Sequence, residues 1–243
     1  MQRWFAWSGI AMLVIFLIGF WPVAGYVPPS GPNESVAQIV RFYANNTTAI
    51  HLGLWMTMIA AAFCVPFFVA VSVQMRRIEG RHSPIAYAQM ICGGLFTLEF
   101  IFPLMIWQAA DYRPTLDPTM TYRLHDLGWL MFLGVVSTGV LQAILIAVAI
   151  FRDRRPDPVF PRWIGYTSLW CGLLFMPGGL IVFFKTGPLD WRGLIAWWLL
   201  LVAFGIWTVV LVYGLVRHAI PHQEREAREA PAAPTPELHK VSV

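Results

Sequence analysis

The sequence predicts an all-α membrane protein that crosses the bilayer six times, with both termini in the cytoplasm. Hydrophobic residues make up 58% of the chain, charged residues make up only 12%, and the apolar residues are gathered in six long runs. So few charged side chains cannot coat a water-soluble globule. The runs are continuous, whereas the strands of a transmembrane barrel alternate apolar and polar residues, so helices are the expected structure.

Each run is long enough to cross a hydrocarbon layer about 30 Å thick as a helix that rises about 1.5 Å per residue. The predicted spans are residues 5–25, 48–75, 85–110, 127–151, 163–184 and 194–216. No internal repeat is strong enough to indicate inverted halves, so three helical hairpins in series is the simplest topology. We expect residues 1–218 to form this transmembrane domain.

The first loop between spans is the longest, and it carries a helical pattern of its own. Apolar side chains recur at the spacing of one helical face, at Val36, Ile39, Val40 and Tyr43. Asn33, Glu34 and Ser35 supply a cap-like start. The pattern predicts a short interfacial helix over residues 35–45.

The orientation follows from the positive charges in the loops. Twelve of the 17 Lys and Arg residues fall on one side of the predicted spans, and that side is expected to be cytoplasmic. This asymmetry accounts for the net charge of +4, so we expect the lipid bilayer, and no nucleic acid, as a partner. Several tryptophans fall near span ends and are interpreted as an aromatic belt, among them Trp107, Trp129, Trp191 and Trp197.

The composition changes after the last span to Glu, Arg, Ala and Pro. Such a segment cannot bury enough apolar surface to offset the entropy lost on ordering. We therefore predict that residues 219–243 form a disordered cytoplasmic tail.

Glu99 is the only acidic residue deep within a predicted span. A bare carboxylate in hydrocarbon is unfavourable, so this side chain must be protonated, be paired, or face a wet cavity. A functional pocket is one interpretation. The structural alternative is a neutral Glu99 hydrogen-bonded to a neighbouring helix, where Thr138 and Gln142 lie at similar depth.

Four polar side chains lie near the outer ends of the spans and could form a metal site: His51, Asp111, His125 and Asp126. Imidazole and carboxylate groups suit zinc, iron or copper. The alternative is structural, because Asp126 stands where a helix N-cap belongs and each histidine is alone on its helix. No His-x-x-x-His or Glu-x-x-His spacing supports the metal, and no cofactor is the simpler expectation.

Prolines and glycines within the spans indicate interrupted helices. Pro66 and Pro103 each remove a backbone donor, and Pro177, Gly178 and Gly179 stand together in the fifth span. Freed carbonyls must find partners or line a cavity. Broken helices are typical of transporter substrate sites, and they are also ordinary packing features of membrane bundles.

Three stretches carry a resemblance to known sequences: residues 37–43 (AQIVRFY), 76–80 (RRIEG) and 160–166 (FPRWIGY). Over residues 35–217 the chain resembles a group of uncharacterised six-span bacterial membrane proteins. The resemblance implies a bacterial inner-membrane location. It brings no activity and no functional residues.

These observations favour a non-enzymatic protein, a binding or accessory subunit that handles a small apolar molecule or supports a membrane complex. Its ligand pocket is expected at Glu99, Pro177, Gly178 and Gly179. The alternative is a metal-dependent membrane oxidoreductase that uses His51, Glu99, Asp111 and His125. A small-molecule transporter is the third hypothesis.

Overall fold

The computed structural model describes residues 1–229, and this part of the chain contains helices and no strand. The helices are α1 (Gln2–Ile18), α2 (Val36–Ala62), α3 (Cys64–Glu79), α4 (Pro84–Tyr112), α5 (Pro118–Gly134), α6 (Ser137–Arg152), α7 (Arg162–Phe175), α8 (Leu200–Gly214) and α9 (Ile220–Glu229). Short π-helical segments follow α1 (Gly19–Val23), precede α8 (Leu194–Leu199) and follow it (Leu215–Ala219). A 3₁₀ segment, Met176–Leu180, follows α7.

Five helical segments are long and apolar enough to cross a membrane: Gln2–Val23, Val36–Glu79, Pro84–Tyr112, Pro118–Arg152 and Leu194–Glu229. They agree with the predicted all-helical, multi-pass class. The predicted span at residues 163–184 differs, because α7 has 14 residues and then tightens into the 3₁₀ segment. Fourteen residues rise about 21 Å, which is short of the hydrocarbon thickness.

Helix α4 lies at the centre of the fold and packs against α2, α3, α5 and α6. One core fills the half of the bundle near α9 and includes Phe67, Phe68 and Trp207. A second core, rich in aromatic rings, fills the opposite half. It contains Trp107, Trp129 and Trp197, each at most 1% exposed, so these residues are core residues and the aromatic-belt interpretation is wrong for them.

The helix breaks only partly follow the prolines. The break between α2 and α3 falls at Phe63, close to the residue whose carbonyl the Pro66 ring would crowd. Helix α4 runs through Pro103 without interruption. A break that contains no proline separates α5 from α6 at Val135 and Val136, in the middle of a predicted span.

The predicted interfacial helix is the first part of a longer one. Helix α2 begins at Val36, where the Ser35 backbone N–H donates to Gln38 Oε1 at 2.8 Å in a capping box. It then continues to Ala62 with no turn after Asn45. The second part of the first loop and the start of the second span therefore form one continuous helix.

The structure also corrects the predicted start of the disordered tail. Residues 220–229 form α9, which is held to the loops at one end of the bundle. His222 is 6% exposed, and its Nε2 contacts the Asp157 carbonyl oxygen at 3.0 Å. Ion pairs join Glu226 to Arg77 at 2.5 Å and Arg225 to Asp157 at 2.8 Å. Charge pairing therefore orders a helix that apolar burial alone would leave free; the rest of the predicted tail, residues 230–243, lies outside the described residues.

Ending the chain at Gln223 should lower the free energy of unfolding by about 1 to 3 kcal/mol, because it removes several partly exposed ion pairs worth about 0.2 to 1 kcal/mol each. Arg3 and Arg77 lose Glu224 and Glu226, and Asp157 loses Arg225. Denaturant unfolding in mild detergent gives the value, with a chain that ends at Glu229 as the control. Equal stability of the two truncated chains would mean that α9 does not brace the bundle.

Candidate functional site

Glu99 lies midway along α4 and faces the break between α5 and α6. The Thr138 hydroxyl, in the first turn of α6, donates a hydrogen bond to Glu99 Oε1. Glu99 Oε2 is buried without a hydrogen-bond partner among residues 1–229. The side chain is thus anchored through one oxygen, and the second is available to a further group.

The helix break explains why a carboxyl group is accommodated at this depth. Helix α6 starts at Ser137, and the N–H groups of its first turn have no partners within the helix. The N-terminus of a helix carries partial positive charge, which favours a carboxyl group nearby. The middle of an apolar span therefore offers a local polar environment to Glu99.

A cavity of about 60 Å³, here called the Glu99 cavity, adjoins this carboxyl group. Its wall is mainly aromatic and includes Phe16, Phe96, Phe100, Phe132, Phe175 and Phe204. Val135 also lines it and is 43% exposed in the middle of an apolar segment, so the cavity opens toward the lipid-facing side. The walls can bind an apolar group, and Glu99 is the one charged residue of the lining that can fix a polar one; Trp197, whose Nε1 also has no partner among residues 1–229, is a second lining residue with a free polar atom.

The other residues of the predicted ligand pocket lie behind this cavity. A Cβ atom on Gly178 would stand 2.8 Å from the Leu133 carbonyl oxygen, and one on Gly179 would stand 3.4 Å from Val136. Leu133 and Val136 both line the cavity. The glycines therefore let the 3₁₀ segment, with Pro177 in its first turn, approach the α5–α6 break. They shape the wall without lining it.

Two of the predicted metal ligands meet. His51 Nε2 lies 3.1 Å from Asp111 Oδ2, and Asp111 is completely buried whereas the His51 side chain is 41% exposed. Neither Asp111 oxygen makes a well-directed hydrogen bond with residues 1–229. Helix packing thus brings these two side chains within hydrogen-bonding distance across α2 and α4.

His125 lies apart from the His51–Asp111 pair, and both of its ring nitrogens are in hydrogen bonds. Its Nδ1 lies 2.9 Å from the Tyr43 hydroxyl, and its Nε2 accepts from Trp129 Nε1 at 3.1 Å and lies 2.7 Å from Ser30 Oγ. An indole N–H can only donate, so Nε2 is the unprotonated nitrogen and Nδ1 donates to Tyr43. We call Ser30, Tyr43, His125 and Trp129 the His125 network.

The His125 network ties the first loop to α2 and α5. The Tyr26 hydroxyl extends it by donating to Tyr43 Oη at 3.1 Å. Burial, aided by the neighbouring Tyr43, raises the pKa of Tyr26 well above its usual value, so this hydroxyl stays protonated. Every ring nitrogen of His125 is occupied, and a metal could bind it only by displacing one of these partners.

Asp126 is half-buried within α5 and is not a helix cap. The N-cap of this helix is Asp117, whose side chain accepts from the backbone N–H groups of Thr119 and Met120 at 3.0 Å. Within residues 1–229, no three His, Cys, Asp or Glu side chains come together as metal ligands. The predicted set is therefore divided into the His51–Asp111 pair, the His125 network and a separate Asp126.

Sequence reasoning did not identify Ser30, Tyr43 or Trp129 as partners of His125, or Tyr26 as a partner of Tyr43. For Tyr43, the available signal was its position on the apolar face of the predicted interfacial helix. The others come from distant parts of the chain or were interpreted as interfacial aromatics.

The chain was compared with protein-family models, with curated proteins and with solved structures, and none of the three comparisons gives a match.

Proposed function

We propose that the protein is a membrane-embedded binding or accessory subunit that takes a small apolar molecule, or the apolar end of a larger one, into the Glu99 cavity. The observation that carries this proposal is a single carboxyl group with an unpartnered oxygen in an aromatic-lined cavity. Binding sites for small molecules typically combine apolar walls with very few polar groups.

The shape of the cavity defines the class of ligand. About 60 Å³ holds several water-sized positions, so it admits a group of a few heavy atoms. One hydroxyl on that group would donate a hydrogen bond to Glu99 Oε2. The exposed Val135 at the opening favours entry from the hydrocarbon layer, where such molecules are concentrated.

The membrane context of the proposal is a bacterial inner membrane with six crossings and cytoplasmic termini. The cytoplasmic placement of the termini is supported by the concentration of positive charge at the α9 end. Four arginines form ion pairs there: Arg3, Arg77, Arg155 and Arg225. The sixth crossing is α7 together with the residues that follow it.

Photolabelling tests the binding proposal. The probe is 3-azibutanol, a small alkyl diazirine with one hydroxyl group, applied to the detergent-purified full chain. We expect adducts at Glu99 and its neighbours in the cavity wall, mapped by peptide mass spectrometry and reduced by excess 1-butanol. Labelling of surface residues without labelling of the wall would contradict the proposal.

Two glycine variants make the test specific. A Cβ on Gly139 would stand 3.0 Å from the Phe96 ring in the cavity wall, whereas a Cβ on Gly205 meets nothing within 4 Å. Gly139→Val should reduce wall labelling at least fivefold, and Gly205→Val should leave it unchanged. Gly139→Ala, which adds one methyl group, provides an intermediate case if Gly139→Val does not fold.

A transporter is the second candidate, and one observation favours it. The α5–α6 break and the 3₁₀ segment meet, with Gly178 close to the Leu133 carbonyl oxygen and to Val136. Two interrupted helices that meet at the middle of the bilayer are typical of transporter substrate sites. The rate at which 3-azibutanol crosses the membrane of proteoliposomes distinguishes transport from binding alone. The rate is compared between wild type and Gly139→Val.

A further inference from the structure

A second pocket, of about 340 Å³, lies at the end of the bundle opposite α9. It is separate from the Glu99 cavity, and we call it the Arg192 pocket. Its lining includes Tyr26, Ser30, Glu34, Phe42, Trp129 and Arg192. Aromatic rings thus line the same pocket as one cationic and one anionic side chain.

Hydrogen bonds hold the backbone at Arg192 and the neighbouring first loop in place. The Arg192 backbone N–H donates to Asp190 Oδ1 at 2.8 Å, and the adjacent Trp191 donates through Nε1 to the Ser30 carbonyl oxygen at 2.8 Å. The guanidinium lies against Gly31, where an added Cβ would stand 3.0 Å from Cζ. An alanine at position 31 would therefore push the guanidinium aside by a few tenths of an ångström.

The two charged side chains of the pocket differ in the contacts they make. Glu34 Oε1 accepts from the Gly31 backbone N–H at 2.8 Å, which closes the turn beneath Arg192. Arg192 forms no ion pair with any acidic side chain among residues 1–229. The pocket therefore presents an exposed cation that has no ion-pair partner in the described part of the chain.

The pocket is also rigid at its base. Ser30 and Trp129 belong to the His125 network, which fixes the first loop against α5. A site whose donors are already in position loses little entropy when a ligand binds. The base of the pocket therefore needs no rearrangement to accept a molecule of the right shape.

We infer that the Arg192 pocket binds a small organic carboxylate whose apolar body lies against Phe42 and the neighbouring aromatic rings. A guanidinium pairs with a carboxylate through two parallel hydrogen bonds, and its planar shape favours that geometry. The aromatic lining selects an apolar body over a bare anion. This inference does not depend on the function proposed for the Glu99 cavity.

Four probes test the inference on the detergent-purified full chain by isothermal titration calorimetry. Phenylacetate carries the predicted carboxylate and ring, benzyl alcohol has the ring without charge, phenethylamine reverses the charge, and inorganic phosphate lacks the ring. We expect phenylacetate to bind at least tenfold more tightly than each of the others. Tighter binding of phenethylamine or phosphate, equal binding of benzyl alcohol, or no binding of phenylacetate would overturn the inference.

Three substitutions distinguish the effect of the Arg192 charge from the effect of its position. Arg192→Gln should weaken phenylacetate binding at least tenfold, and Arg113→Gln, which changes an exposed arginine at the same end but outside the pocket, should leave it unchanged. Gly31→Ala keeps the positive charge but displaces the guanidinium, so it should weaken binding as well. Unchanged affinity in Arg192→Gln would contradict the assignment, and so would an equal loss in Arg113→Gln.

Discussion

Replacing His125 with phenylalanine is expected to lower the free energy of unfolding by about 3 to 5 kcal/mol, one of the largest single-residue effects in this chain. The ring volume is nearly kept, but Tyr43, Trp129 and Ser30 each lose a hydrogen-bond partner. His125 and Trp129 are at most 1% exposed, and Tyr43 is fully buried. An unsatisfied buried polar group costs about 1 to 3 kcal/mol, so the losses add to several kcal/mol.

Urea unfolding in mild detergent, followed by tryptophan fluorescence, measures this effect. His82→Phe is the matched control, since His82 is exposed in the short α3–α4 loop. His125→Asn places an amide nitrogen near the position of Nδ1, so it should keep the bond to Tyr43 and lose less stability than His125→Phe. If His125→Phe unfolds within about 0.5 kcal/mol of wild type, the His125 network does not hold the first loop.

The helical class could be predicted because it depends on composition and run length alone. Predicting the His125 network was a different problem. Ser30 and Tyr43 lie 95 and 82 positions from His125 in the sequence; the packing of α2 against α5 brings Tyr43 to it, and the path of the first loop brings Ser30. Periodicity shows which face of a helix is buried. It does not show which residue of another helix is opposite.

The Glu99 site could be predicted in part. A carboxyl group in hydrocarbon needs a partner at its own depth, and that requirement limited the choice to Thr138 or Gln142; the structure selects Thr138. The helix break that frees the first turn of α6 had a weaker signal. Gly134 ends α5, but Val135 and Val136 carry no turn chemistry, so their conformation is set by tertiary packing.

The tail prediction was incorrect over residues 220–229 because composition alone underestimates specific charge pairing. The sequence of α9 alternates acids and bases, and on its own it would bury little apolar surface. The partners lie in the last turn of α3 (Arg77) and in the α6–α7 loop (Arg155 and Asp157), which the packed helices hold close together. A prearranged set of charges reduces the entropy lost when α9 docks.

The two pockets differ in the chemistry they offer, and this difference guides their assignment. The Glu99 cavity opens toward lipid, has apolar walls and contains one carboxyl group. The Arg192 pocket lies at the end of the bundle and is lined by aromatic rings, one cationic side chain and one anionic side chain. A ligand that suits one would leave unpaired charge or exposed apolar surface in the other, so binding to each can be measured separately.

Glu99→Gln and Glu99→Leu are expected to separate the structural from the binding role of this side chain. The amide keeps the size of the carboxyl group and an oxygen that can accept from Thr138, so Glu99→Gln should unfold within about 0.5 kcal/mol of wild type. Leucine removes the acceptor and leaves the Thr138 hydroxyl unpaired, which should cost about 1 to 3 kcal/mol.

The 3-azibutanol experiment measures the binding role in the same variants. The free oxygen Oε2 is the group proposed to hold the hydroxyl of the probe. We therefore expect labelling of the remaining wall residues to fall about tenfold in Glu99→Leu. A tenfold decrease corresponds to a loss of about 1.4 kcal/mol of binding free energy. Glu229→Gln, a change at an exposed residue of α9, serves as the control and should keep wild-type labelling.

Comparing stability with labelling decides between the two roles because each role predicts a different pattern. If Glu99 only satisfies Thr138, Glu99→Leu loses stability while the other wall residues are labelled as in wild type. If Glu99 also fixes the ligand, labelling falls as well, and Thr138→Val should restore the stability of Glu99→Leu by removing the unpaired hydroxyl without restoring labelling. Wild-type labelling of the wall in the stabilised double variant would reject the Glu99 cavity as a site where this carboxyl group holds a ligand.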